Sequence, residues 1–241
     1  MIPGVNAVVL VVFTALSVRA GKALFHGRSR EDRLLDASGL LMQGVVVPFL
    51  QSVVLYTVLS RWAPTFNGAL HFPSWAAFLL NFAGVDYLYY WNHRLLHAKR
   101  LWPAHAVHHT AESLDVWVTS RNTLWTPLVI VYVWLNALFA FLLAEPAPYL
   151  LAAALTAALD LWKHSDAWPA RPGPVLSALG AILVTPGHHA WHHSTDRADS
   201  NFGANLVLWD RLHGTYLPPD SRPARYGIAL DWSLRRRLLL A

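Results

Sequence analysis

The chain has 241 residues, 55 % hydrophobic and 14 % charged, a balance outside the soluble norm and on the side of membrane proteins. It contains no cysteine, which excludes disulfides, iron–sulfur clusters and thiolate zinc sites. Its formal charge of +5 sits between apolar runs and at the C-terminus, a pattern of membrane topology and not a nucleic-acid-binding stripe.

Five apolar runs are candidate membrane helices. Residues 3–18 lack a basic leader, and Arg19-Ala20-Gly21-Lys22 follows in place of a small-residue cleavage site, so the run reads as a retained anchor. Residues 39–60 hold Pro48, a predicted kink. The third run covers 74–90. The fourth and fifth, 124–144 and 149–162, are joined by a Glu145-Pro146-Ala147-Pro148 turn and read as one helical hairpin. A spanning helix takes about 20 apolar residues, so the first and fifth runs are short. The expected architecture is all-α: an integral membrane bundle of four to five helices with a cytoplasmic helical cap carrying a histidine-rich two-metal site. We read 1–241 as a single domain, divided into an N-terminal membrane hairpin (1–73), a catalytic core (74–216) and a basic C-terminal tail (217–241).

Lys and Arg counts set the orientation. The connection 19–36 holds five, 61–73 one, 92–123 four, the Glu145 turn none, and 163 to the end nine, which accounts for all 19. Alternate connections are basic, so the first, third and last should face the cytoplasm, and the histidine clusters fall on that side. Trp62, Trp75, Trp91, Trp102 and Trp125 flank these loops and read most simply as interfacial anchors. Residues 175–184 are apolar but too short to span, and should lie in the interface or cap the site. The ending Trp232-Ser-Leu-Arg-Arg-Arg-Leu-Leu-Leu reads as a basic amphipathic membrane-surface contact.

Histidine carries the chemistry. His93, His97, His105, His108 and His109 fall within seventeen residues, and His188, His189, His192 and His193 form a second cluster. Helical positions three and four apart share a face, so His93 and His97 should project together, and His105, His108 and His109 should do the same. Written out, the motifs are H-x3-H, H-x2-H-H, the lone His164, and a second H-x2-H-H (His189, His192, His193). Any one of these alone is most simply a buried hydrogen-bonding residue. Nine together exceed one metal's share, since a tetrahedral site uses four protein ligands, and they imply two metals with four or five nitrogens each. Imidazole suits iron, copper, zinc and nickel alike. The scarcity of nearby Glu argues against a carboxylate-bridged bundle site. His188 is out of register with its box.

These motifs resemble the membrane fatty acid hydroxylase and sterol desaturase superfamily. Asp86 to His97 looks like the family's acidic-aromatic lead into His-Arg-x-x-His. HAVHHTAESLDVWVTSR (His105 to Arg121) resembles its middle box. Thr185-Pro186, Asn201-Phe202-Gly203, Leu208-Trp209-Asp210-Arg211-Leu212 and Gly214-Thr215-Tyr216 match its closing segment. The resemblance spans roughly 74–216 and implies two iron ions held by the nine histidines, which activate O2 to oxidise a lipid C–H bond. The substrate would be a fatty acyl, sterol or alkyl-glycerol chain. A desaturase or sterol methyl oxidase would share the same metal site. Electrons would come from an external ferredoxin- or cytochrome b5-like protein, since no Gly-rich nucleotide motif is present. Two departures stand out: His213 where the family has an aromatic, and Asp160 where some hydroxylases carry another ligand histidine.

Each ligand ring needs an acceptor to fix its tautomer. Asp86, two turns before His93, Asp160, one turn before His164, and Glu112, Asp115, Asp196 and Asp199 after the boxes are candidates, with Asn201 and His188 as further supporting groups. His213 and Arg121 are possible substrate or site contacts, Arg121 more simply an ion-pair partner. Two other classes compete. A histidine-rich metal transporter should space its histidines through the membrane depth, and here they bunch at helix ends. A haem-binding cytochrome needs only two axial histidines and leaves seven unexplained.

Overall fold

The computed structural model describes residues 28–165, 167–169 and 171–241, with 11, 12, 14 and 15. The predicted anchor at 3–18 therefore lies almost wholly outside the described residues. The described chain is helical, with isolated β-bridges and no strand.

Helix α1 runs Arg30–Trp62. Ser29 caps it: its Oγ accepts from the Asp32 amide, and Asp32 accepts in return from the Ser29 N–H. Its 33 residues reach about 50 Å, and it is the one described helix long and apolar enough to cross a membrane, by length and composition. Leu41, Val45, Phe49 and Val53, four residues apart, form an exposed apolar stripe along it. Pro48 sits in Val47–Phe49 between π-helical Met42–Val46 and Leu50–Leu55, so the missing proline donor falls among widened turns.

Helix α2 (residues 74–96) joins Ser74–Leu79, π-helical Leu80–Val85 and Asp86–Leu96. A π stretch shifts the register of a helix face. Here Asp86, Tyr90 and His93 are buried after it, while Leu88, Trp91 and Leu95 are exposed. The fourth predicted run is not one long helix. After the single turn Thr126–Val129, extended Ile130 breaks it, and α3 covers only Val131–Leu142, about 18 Å. Helix α4 is Ala147–His164 and pairs with α3 through the Glu145 turn as expected. One candidate span is fewer than the four to five membrane helices anticipated. Composition marks apolar runs, but breaks such as Ile130 depend on local turn geometry.

Short helices complete the chain: α5 Pro174–Gly180, α6 Pro186–His192, α7 Leu208–Leu212 and α8 Leu234–Leu239. In the 175–184 segment, Val175, Leu179 and Ile182 form an exposed apolar row. Residues 97–125 hold only single 3-10 turns, Trp102–Ala104 and His108–Thr110. The middle box is thus a turn and not the predicted helix, with Pro103 in the turn before it and extended Ala111 ending it.

Two long-range joints hold this irregular region. Arg121 donates from Nε and Nη2 to Asp36 (2.6 and 3.0 Å) and from Nη1 to Asp32 (2.9 Å), and Arg28 bridges Asp36 and Asp115. Close approach there requires Gly39, since a Cβ would stand 1.9 Å from the Ser120 carbonyl oxygen. The tail folds back onto the core: Ile228 N–H donates to the His109 carbonyl, Leu124 N–H to Leu238, and Arg237 lies 3.6 Å from Glu31.

Candidate metal centre

The nine histidines form two groups. His93, His97, His105, His109 and His192 make one, and His108, His164, His189 and His193 the other; within each, the candidate ligand nitrogens lie within 4.8 Å of one another. Local spacing builds them. The i,i+4 pairs His93/His97 and His105/His109 enter the five-membered group, and His189/His193 the four-membered one. Adjacent residues diverge, so the doublets His108-His109 and His192-His193 each supply one ring to each group. That interleaving sets the groups side by side, with His109 and His193 stacked at 4.6 Å between ring centres.

Backbone carbonyls set the tautomers. His93 Nδ1–H donates to Phe202 O (2.8 Å), His108 to Arg121 O (3.1 Å), His164 to Asp160 O (2.8 Å) and His192 to Ser200 O (2.8 Å). A carbonyl only accepts, so each Nδ1 carries the proton and each Nε2 keeps a lone pair. His164 Nε2 then faces His108 Nε2 at 3.3 Å, lone pair to lone pair, and lies 2.9 Å from His189 Nε2. His93 and His105 face each other at 3.0 Å, and His189 and His193 at 3.1 Å. His97 Nε2, His109 Nε2 and His192 Nε2 are buried with no hydrogen-bond partner. Facing lone pairs repel unless a cation lies between them. A metal–nitrogen length of about 2.1 Å separates adjacent nitrogens by roughly 3.0 Å in octahedral and 3.4 Å in tetrahedral coordination. The donor set therefore fits two metal ions.

Burial first, and neighbouring rings second, hold His108 down at about 3 and His105, His109, His189, His192 and His193 well below the ordinary imidazole value of 6.5. Neutral rings are the ones that ligate. With metal stripped, the unfolded chain binds more protons than the folded one below 6.5, so stability present at neutral pH is lost as pH falls through that value. The thermal midpoint of metal-stripped protein should therefore drop between about pH 7.5 and pH 5.5. A flat profile in a thermal scan would contradict this.

Several anticipated supporting residues do something else. Asp86 touches no histidine: it accepts from the amides of Ala204 (3.1 Å), Asn205 (3.0 Å) and Leu206 (3.0 Å) and from Trp209 Nε1 (2.9 Å). Seven helical residues separate it from His93 by about 10 Å, beyond any hydrogen bond. It clamps the loop that carries the Phe202 carbonyl. The Asp160 carboxylate lies 3.7 Å from His164 Nδ1 and pairs with Lys163 (3.2 Å); its carbonyl is the acceptor. Glu112 and Asp196 are exposed, and Asp196 accepts from Thr195. Asn201, in the left-handed region (φ 53°), donates to the His188 and Leu217 carbonyls and accepts from Leu217 N–H, tying the closing segment to α6. His188 belongs to neither group. Its Nδ1 accepts from Thr185 N–H at the start of α6, and its Nε2 faces Tyr216 Oη. Arg121 meets the site through its carbonyl, while its guanidinium holds α1.

His213 packs among Tyr87, Tyr90 and Trp91 with its Nε2 buried and unpartnered. His213→Phe should therefore leave turnover near normal and the thermal midpoint unchanged or raised, because an orphaned polar atom is removed. A collapse in turnover would assign the ring a polar role.

Other contributors carried no signal in residue type. The carbonyls of Ser200, Phe202 and Arg121 orient rings whatever their side chains are. Buried Lys163 and the Phe202 ring, which packs on His93, His97 and His192, were also unforeseen. Asp210, quoted above only within the closing motif, accepts from Phe202 and Gly203 amides and from Thr215.

The sequence profile of the fatty acid hydroxylase family matches residues 78–215. The chain is 27 % identical over 192 residues to the alkylglycerol monooxygenase of Homo sapiens, covering 77 % of this chain and 41 % of that protein. It is 34 % identical over 154 residues to the ornithine lipid hydroxylase OlsE of Rhizobium tropici, covering 62 % of this chain and 44 % of that protein. The chain thus spans less than half the length of these curated relatives. No solved structure matches it. The profile takes in every histidine of both groups and more than half of the chain, and on that ground the chain belongs to the fatty acid hydroxylase family.

Proposed function

We propose that this protein is a membrane-bound oxygenase that uses O2 and external electrons to hydroxylate a lipid C–H bond of fatty acyl, sterol or alkyl-glycerol type. The observation that carries the reading is the division of nine buried or half-buried imidazoles into groups of five and four with nitrogens aimed inward. Each group would hold one ion, His93, His97, His105, His109 and His192 the first, and His108, His164, His189 and His193 the second. Two iron ions bound there would supply the reductive activation of O2. The chain's own residues do the rest: carbonyls on Nδ1 fix the rings, burial keeps them neutral and excludes bulk water, and the doublets hold the two groups adjacent. The names of the relatives, a monooxygenase and a hydroxylase of lipids, support the substrate class. Electrons would be delivered by a separate ferredoxin- or cytochrome b5-like carrier. A transporter is disfavoured because the histidines gather in one place instead of along a path.

Membranes containing the protein should incorporate oxygen from 18-oxygen gas into one lipid class. Metal-loaded protein with reductant that labels no lipid would overturn the reading. A multi-pass topology with the site on the cytoplasmic side rests on the Lys and Arg distribution. A reporter fused after Ala241 should accordingly read cytoplasmic, and an opposite readout would overturn the orientation.

A further inference from the structure

The two groups differ in how they meet solvent. In the four-histidine group, His108 and His164 are held by the buried carbonyls of Arg121 and Asp160. In the five-histidine group, His93 and His192 are held likewise by Phe202 and Ser200, whereas His97 meets a carboxylate. This histidine sits at the C-terminal end of α2, and its Nδ1 lies 3.3 Å from Asp199 Oδ1. The His97 ring is 4 % exposed, whereas the Asp199 side chain covering it is 88 % exposed. A surface cavity of about 260 Å³, lined by Arg94, His97, Ala98, Asp199, Phe202 and Thr215, brings solvent to this point. No member of the four-histidine group lines it. His97 Nε2 is buried and unpartnered on the other edge of the ring.

A carboxylate on Nδ1–H leaves the Nε2 lone pair free and aims it, as a buried carbonyl would. The difference is that Asp199 can leave His97 without stranding a buried group, because water replaces it. His97 can then swing toward the cavity while His93 and His192 stay held by the buried carbonyls of Phe202 and Ser200.

We propose that Asp199 is the positioning residue of His97 and the latch of an exchange door, so that the five-histidine group gains and loses its metal through this cavity while the four-histidine group stays sealed. The inference rests on the two-metal reading above and adds an order of exchange and a residue that controls it.

The test uses the full chain in detergent, loaded anaerobically with Fe(II) and then mixed with excess ferrozine, iron release being followed by absorbance. The expected result is two phases of one equivalent each. Asp199→Ala should accelerate the fast phase and weaken one equivalent by about 10–100-fold, the usual loss when a ligand's outer partner is removed, and leave the slow phase alone. Asp199→Asn, which keeps an acceptor oxygen, should stay close to the parent and guards against a folding defect in the Ala variant. Release of both equivalents in one phase overturns the proposal. So does an Asp199→Ala variant that changes neither phase, as an ordinary exposed ion pair of little energetic value would behave, or one that speeds both equally. A chain that takes up no iron at all would instead sink the proposed function itself, which keeps the two failures distinct.

Discussion

His109→Ala should reduce bound metal from two equivalents toward one and lower lipid hydroxylation by more than about a hundredfold, beyond the 10–100-fold typical of losing a ligand's supporting partner. His109 is buried, its Nε2 has no other partner, and it stands among four rings of its group and beside His193 of the other. His192→Ala should behave alike, because its Nδ1 is already committed to Ser200 and its Nε2 has no second use. His188→Gln is the informative contrast. His188 adjoins the same box, but both its nitrogens are engaged with Thr185 and Tyr216, so the variant should keep both equivalents. Metal analysis of the purified variants decides the matter. Unchanged stoichiometry in His109→Ala, or a loss in His188→Gln equal to it, would mean that the grouping does not describe the ligands.

The second large effect is expected away from the histidines. Asp86→Ala strands three buried amides and an indole N–H that share one carboxylate. At about 1–3 kcal/mol for each unsatisfied donor, the cost is at least roughly 4 kcal/mol, a large part of a total stability of about 5–15 kcal/mol. For a chain of this size that corresponds to a fall in thermal midpoint of at least about 8–16 °C. Metal content should fall with it, since residues 200–206 bear the carbonyls that hold His192 and His93. A thermal scan showing a shift of a few degrees with full metal content would remove Asp86 from this role. The comparison also separates two readings of one residue. An acceptor on a ligand ring would change metal affinity first, whereas a loop clamp changes stability first.

Much of the centre was legible before any coordinates. The H-x3-H and H-x2-H-H spacings name eight of the imidazoles and the lone His164 completes them, and the count of nine already implies two ions. The i,i+4 members of each motif do enter the same group, although the middle box does so from a turn instead of a helix. Spacing put the i+3 member His108 on one face with His105 and His109, and the structure sends it to the other group, because that depends on how distant segments are set against each other. Acceptors for the rings were misread for a related reason. Carboxylates nearby in sequence, such as Asp86 and Glu112, drew attention, while four of the rings use main-chain oxygens that every residue possesses and His97 meets one of the candidate carboxylates, Asp199. The stretch just before the basic end carries a role that residue type did not show, since Ile228 N–H supports the His109 carbonyl. Composition located the apolar runs, but not that Ile130 would break one of them.

The sequence by itself determined the helical class, the apolar runs, the exclusion of sulfur chemistry and which histidines gather in the two groups. Each follows from residue type or from a fixed local period, 3.6 residues per turn, that needs no distant partner. Only the tertiary structure decided the five-and-four division, the carbonyls that set the tautomers, and the anchoring of Arg121 and Asp86. These are contacts between segments as many as 123 residues apart, and chain closure, not local periodicity, brings such groups within 3 Å.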